Sequence, residues 1–289
     1  MRTGFKLRNP MPESPKKILI VIHANTYFTG MLPIARVLAK RGEFAPVFLF
    51  ATNYPTLGDD LEICQKENIA VLLGERVKIA PRQVLGSEQA RQLKKRPKRL
   101  KSLRVFAGSI LTKLFAAGVL DATWKLSRQI AAIREILRRE RICLVILPAD
   151  NRYDQAAYVK AAHLEHIGVV VIPQFMAGPL EWAEYVWNQP AYQVSGYRNR
   201  LASVLYPRWA YSYKGRKLIA LPGSQVIARE WLGIAPPLPW ILHSGAAEFL
   251  ALESEAVRDY CIAEGLPASN MVVTGSIAHD AMWDALLHI

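Results

Sequence analysis

His23 follows directly on an apolar, β-branched run, KILIVI over 17–22. An imidazole titrates near neutrality, so it can take the proton of an attacking hydroxyl. Placed at the end of a strand, it can equally hydrogen-bond a neighbouring loop. Asn25, Thr26 and Thr29 follow within six residues, and Gly30 opens a helix whose amides suit an anionic or hydroxyl-rich ligand. A second polar group, Asp150-Asn151-Arg152, comes straight after the apolar run CLVIL over 143–147. Arg152 there can clamp a phosphate or carboxylate. Asp150 or Asn151 can alternatively cap the next helix, and Asp150 can pair with Arg152. Gln174, two residues past the run 169–172, completes a third polar strand end.

Other chemistries have less behind them. His163, Glu165 and His166 share a helix, but Glu165 faces elsewhere and no third ligand is near in sequence, so a metal site is not expected. Ser224 and Ser244 lack the G-x-S-x-G elbow of a serine hydrolase. Neither a Walker P-loop nor a G-x-G-x-x-G after the first strand is present, which removes the main support for an ATPase or an ordinary NAD enzyme.

The elements around these residues alternate. Strand 17–22, a loop 23–30, a helix closing on Lys40-Arg41-Gly42, strand 47–51, helix 59–68 and strand 69–73 read βαβαβ. Helix 126–139, strand 143–147, helix 153–166 and strand 169–172 continue the pattern. Residues 179–240 are less regular and rich in Trp, Tyr and Pro; strand 247–253, helix 254–264 and strand 270–274 restore order, and 280–287 opens a further helix. The fold class that follows is α/β, a Rossmann-like doubly wound parallel sheet, with ligands expected beyond the carboxyl ends of its strands.

In 289 residues of 51% hydrophobic content the chain has enough apolar material for a full core. Three scattered cysteines favour reduced thiols over a disulfide framework. The first 17 residues contain no apolar core of a secretory signal, so a cytoplasmic location is expected. The net charge of +13 is concentrated: 76–141 holds eighteen basic and four acidic residues, while the rest is near neutral. Within it RQLKKRPKRLKSLR (91–104) adjoins the apolar VFAGSILTKLFAAGVL (105–120), too short and broken by Lys113 to span a bilayer. Lys94, Lys95, Arg96, Lys98 and Arg99 beside Phe106, Leu111 and Phe115 suit a segment lying in the headgroups of an anionic membrane. A solvated helix face packed on the domain explains the same residues. Nucleic acid attracts such charges too, but no aromatic residues interleave the basic tract.

The stretch KILIVIHANTYFTGMLPIARVLAKRG resembles the first strand, glycine loop and helix of GT-B glycosyltransferases and the related UDP-N-acetylglucosamine 2-epimerases, with Gly30, Pro33, Ala35, Leu38 and Gly42 in the expected rhythm. Thr29-Gly30 stands where that family usually has Gly-His. Asp150-Asn151 with the following helix, then GVVVIP over 168–173, is similar to the last βαβ unit of the family's acceptor domain. AEFLALES (247–254), the Gly265 cap and VVTGS (272–276), with Asp280 beyond, resemble the passage between its two domains. The resemblance implies an N-terminal lead (1–16), an acceptor-side domain (17–268) carrying a basic, amphipathic insertion (76–125), and the start of a second, donor-binding domain (269–289). It implies His23 as catalytic base, and Asn25, Thr26, Thr29, Gly30, Asp150, Asn151, Arg152, Gln174 and Ser276 along the cleft. No cofactor is implied; a nucleotide sugar is the co-substrate, and the acceptor a glycan or lipid-linked group in surface-polysaccharide synthesis. Glycosyl transfer is then expected only when a second domain, or a partner chain supplying it, is present. The alternatives are an epimerase of the same fold and a non-catalytic, membrane-bound scaffold subunit.

Overall fold

The computed structural model describes residues 14–74, 77, 110–151, 154–276 and 286; of 110–116 it describes the backbone alone. Strand β1 (Lys16–Ile22), helix α1 (Asn25–Arg41), β2 (Phe44–Phe50), α2 (Leu57–Lys66) and β3 (Ala70–Leu73) form the first half. α3 (Ile110–Arg139), β4 (Ile142–Leu147), α4 (Gln155–Leu164) and β5 (Gly168–Val171) begin the second. An inserted lobe follows, made of α5 (Pro179–Val186), α6 (Tyr197–Leu205), the hairpin β6 (Ala210–Tyr213) and β7 (Arg216–Ile219), and α7 (Gly223–Trp231). The chain then returns through β8 (Phe249–Leu252), α8 (Glu255–Ala263) and β9 (Met271–Val273).

Seven strands make one sheet, β3-β2-β1-β4-β5-β8-β9, with every pairing parallel. The expected fold class is the one observed. Strand β1 explains why. Ile18, Ile20 and Ile22 pack with Phe28, Phe48 and Phe50 on one face, while Leu19 and Val21 pack with Val47, Ile133 and Val145 on the other. A strand buried on both faces must be apolar throughout, and the sequence obliges. Strand order reverses between β1 and β4, because the chain winds outward through β2 and β3 and then resumes at β1's other edge. A crevice opens at such a reversal.

Three expectations change. The loop drawn over 23–30 is already helix from Asn25, because Tyr27, Phe28, Met31, Leu32 and Ala35 all bury on the sheet. That burial outweighs the loop character of Gly30 and Pro33. The helix drawn over 126–139 is the second half of α3, which at 30 residues runs about 45 Å. Ile130, Ile133 and Leu137 on it pack on the sheet, and Val119 enters the core of the lobe beside Trp209, Leu218 and Ile227. Residues 179–240, read as irregular, are mostly ordered: Tyr213-Lys214-Gly215-Arg216 turns the hairpin with φ of 46° at Lys214 and 73° at Gly215.

β9 pairs in parallel with β8, so residues 271–273 belong to the same sheet. Phe106 and the basic residues Lys94, Lys95, Arg96, Lys98 and Arg99 lie outside the described residues, as do the side chains of Leu111 and Phe115. Among the described residues no helix is long and apolar enough to cross a membrane.

Candidate active site

His23 is the first residue beyond β1, at the strand reversal. Its carbonyl accepts a hydrogen bond from the Thr52 hydroxyl at 2.5 Å, which ties the end of β1 to the end of β2. Its Nε2 lies 3.3 Å from Oδ1 of Asp154, with both side chains less than a tenth exposed. The Tyr158 ring stands edge-on to the imidazole, 6.4 Å between centroids. Asp154 occupies the N-cap of α4 but makes no side-chain cap bond. Its carboxylate is instead shared between His23 and Gln129 of α3, whose amide donates to Oδ2 at 2.7 Å. A carboxylate this close to an imidazole favours the imidazolium formed when the ring takes a proton.

Arg229 of α7 is 3% exposed and brings the inserted lobe to the same layer, donating to the Asn151 carbonyl at 2.9 Å. Burial pushes its guanidinium down to about 10, and the opposing pull upward comes from Asp154. Asp154, Gln129 and Arg229 went unnoticed in the sequence. Asp154 could have been found there as the residue at the expected helix start; a buried arginine among Val226, Ile227 and Ala228 has no sequence signature.

The other candidates divide. Asp150 is 1% exposed, and its carboxylate accepts the backbone N–H groups of Ser244 at 2.6 Å, Ala246 at 2.7 Å and Ala247 at 3.3 Å. Asn151 is fully buried and donates through its side chain to the carbonyls of Pro239 and Ile241. Together they fasten the 239–247 loop to the end of β4. Asn25 donates to both carboxylate oxygens of buried Asp60, which also accepts from the Tyr54 hydroxyl at 2.7 Å. Thr26 and Thr29 are exposed on the first turns of α1, with the Thr29 hydroxyl bonded back to the carbonyls of Asn25 and Thr26.

Gly30 is helical rather than a loop glycine, and what it provides is room. A Cβ there would stand 2.0 Å from Nε2 of Gln174, whose amide crosses α1 to donate to the Tyr27 carbonyl at 3.1 Å. Gly30 and Gln174 are thus one contact between α1 and the β5 exit, with Phe175 stacked on Tyr27 beside it. Ser276 follows the edge strand β9, three strands from β4 and so about 14 Å away across the sheet. Arg152 lies outside the described residues. His163 pairs with Glu248 at 2.7 Å, and Glu165 bridges Arg134 and Arg138. Ser244 is buried in the loop held by Asp150, and Ser224 is on α7. A small cavity beneath this loop, lined by Asp150, His243, Gly245, Leu266 and Asn270, measures about 10 Å³, the room of one water.

No family model and no curated protein matches this chain. Solved structures do. A UDP-N-acetylglucosamine 2-epimerase from Neisseria meningitidis, bound to UDP-N-acetylglucosamine, is similar at 12% identity and TM-score 0.44 over 94% of this chain and 50% of that one. The Rickettsia bellii 2-epimerase is similar at 12% identity and TM-score 0.41, covering 96% and 48%. A Polygonum tinctorium UDP-glucosyltransferase is similar at 13% identity and TM-score 0.40, covering 91% and 52%. The chain spans about half the length of these proteins. At such identities and TM-scores the likeness assigns neither substrate nor mechanism.

Proposed function

We propose that this chain is the acceptor-side, Rossmann-like half of a GT-B-type nucleotide-sugar enzyme, with His23 as general base and Asp154 as the carboxylate that orients it. One observation carries the reading: the buried His23–Asp154 pair stands at the strand reversal, where an open parallel sheet receives its ligand. In direct transfer an acceptor hydroxyl attacks the anomeric carbon, a new C–O bond forms, and the bond to the nucleotide diphosphate breaks. The hydroxyl proton passes to the imidazole, and the diphosphate leaves with the bonding electrons. Thr26 and Thr29, exposed on the first turns of α1 that follow His23 in the chain, supply hydroxyls for orienting an acceptor. A donor-binding domain, covalent or from a partner chain, completes the enzyme. The acceptor is a glycan or lipid-linked group in surface-polysaccharide synthesis, and the basic tract 91–104 contacts the anionic inner face of the cell membrane.

A second reading, a scaffold subunit without chemistry, draws support from the 3% exposure of the His23 side chain. Under the catalytic reading the polypeptide covering the ring shifts when ligand enters. Nucleotide release from a panel of UDP- and dTDP-sugars, measured with this chain alone and with its completing domain, separates the two. Turnover lost in His23→Gln and Asp154→Asn supports catalysis; indifference to both supports the scaffold. Flotation on liposomes with and without anionic lipid tests membrane contact, and salt-insensitive absence of binding removes it.

A further inference from the structure

Helix α6 buries its small and polar residues and exposes its large apolar ones. Asn199, Ala202 and Ser203, spaced i, i+3 and i+4, form the buried face, while Val204 is 69% exposed, Leu205 55% and Tyr197 50%. The inward face has a local cause. Asn199 stitches the lobe together, donating to the Ala191 and Gln193 carbonyls and accepting the Gly223 N–H at 2.7 Å. A Cβ on Gly223 would stand 2.4 Å from the Arg198 carbonyl oxygen, so α6 meets the start of α7 backbone to backbone. Only small or compact polar side chains fit such an approach. The outward face has no comparable cause, since neither Val204 nor Leu205 enters the lobe's core.

At about 100° per residue, Tyr197, Leu201, Val204 and Leu205 form one outward stripe, and Arg198 and Arg200 fall on its two sides. From 185 to 229 the sequence has no Asp or Glu. The acids that bound this stretch, Glu184 and Glu230, are paired with Lys214 and Arg208. The apolar stripe therefore sits in a surface of one sign. The lobe follows β5, which places it toward the carboxyl ends of the strands. The first half of α3 reaches the same side: Val119 enters the lobe's core about 27 Å along the helix from Leu137 on the sheet. The basic tract 91–104 joins α3 at this end, six residues ahead of Ile110.

We propose that α6 lies in the headgroup layer of an anionic membrane, with Val204 and Leu205 in the acyl boundary and Arg198 and Arg200 level with the phosphates. An aliphatic stripe edged by arginine on both sides has the two components such a surface binds. A second copy fits poorly, because a two-fold contact sets this cationic patch against itself. The inference deepens the membrane contact proposed for 91–104 and rests on a membrane location, but it names a different surface.

The test is co-flotation of the intact chain with liposomes of phosphatidylcholine, alone or mixed with phosphatidylglycerol. Val204 and Leu205 are exposed, so the double variant Val204→Ser, Leu205→Ser keeps the fold and its thermal midpoint. Its partitioning onto mixed vesicles should fall about tenfold or more. Arg200→Gln should bind mixed vesicles about fivefold more weakly and match wild type on phosphatidylcholine alone. Equal partitioning of wild type and the double serine variant overturns the α6 contact and leaves that of 91–104. Should Gln at Lys94, Lys95, Arg96, Lys98 and Arg99 change nothing while the serine variant fails to bind, the 91–104 contact falls and α6 stands. A wild type that floats with neither vesicle overturns both. A wild-type dimer in sedimentation velocity that dissociates in the serine variant assigns the stripe to a second copy and overturns the membrane contact.

Discussion

Asp150→Asn separates a ligand-binding carboxylate from one committed to the fold. The substitution keeps the shape of the side chain and removes its charge. In the native chain the carboxylate receives two short bonds, 2.6 Å from Ser244 and 2.7 Å from Ala246, and a longer one of 3.3 Å from Ala247. An asparagine offers one acceptor oxygen and turns its NH₂ group toward at least one of those N–H donors. Ser244 is fully buried, so its amide cannot turn to water. Hydrogen bonds to a charged group contribute about 1.5–3 kcal/mol each, and a stranded buried donor costs a similar amount. Losing the equivalent of two gives about 3–6 kcal/mol, or a Tm lower by about 6–24 °C for a domain of this size. Urea denaturation followed by circular dichroism should show a lower midpoint with an unchanged slope. A change below about 0.5 kcal/mol would refute the reasoning, since surface carboxylates away from such networks behave that way. Asp150 would then be free to hold a ligand.

Gly30→Ala should leave stability nearly unchanged, because helix propensity gains about 1 kcal/mol while the displaced Gln174 loses its bond to Tyr27. Hydrogen exchange should show the 173–176 backbone less protected, and unaltered protection there would contradict the contact. Trp209→Ala removes a fully buried ring and its Nε1 bond to Glu230, and should cost about 3–5 kcal/mol in denaturant titration. In native protein a thiol reagent at pH 8 should label exposed Cys143 and spare buried Cys64 and Cys261; rapid labelling of all three would contradict that burial. Burial, with Asp60 and Glu67 adding to it, pushes the Cys64 thiol up to about 12 from 9.0. As pH rises above about 9 the unfolded chain releases this proton while the folded chain holds it, so stability falls from there toward pH 12. The fall should be shallower in Cys64→Ala, measured as denaturation midpoint against pH.

The sheet was readable because parallel strands buried on both faces leave little freedom of composition. KILIVI and CLVIL admit few other readings, and Gly42 and Gly265 mark helix ends at φ of 74° and 95°. What escaped did so for definable reasons. α1 begins before Gly30 because tertiary burial of Tyr27 and Phe28 overrides local loop character. The hairpin turn places a lysine, where asparagine is the usual signal, in the left-handed region at Lys214. α3 carries Gly118 and Asp121 through its middle, which breaks the apolar rhythm, yet Gly118 lies within reach of the Arg198 guanidinium of α6. The place of His23 at a strand end was legible. Asp154 was not, since an acid at an N-cap ordinarily turns to the helix amides, and here it turns to His23 and Gln129. Arg229 reaches the end of β4, at the Asn151 carbonyl, through tertiary contacts alone.

The central claim is that His23 and Asp154 form the proton-accepting pair of a nucleotide-sugar enzyme. Its most direct test is steady-state release of nucleotide diphosphate from a sugar-nucleotide panel by the complete enzyme, comparing wild type with folded His23→Gln. General-base catalysis contributes about 10²–10⁴-fold, so kcat should fall by at least about 100-fold with KM for the donor little changed. An unaltered kcat in His23→Gln would contradict the claim.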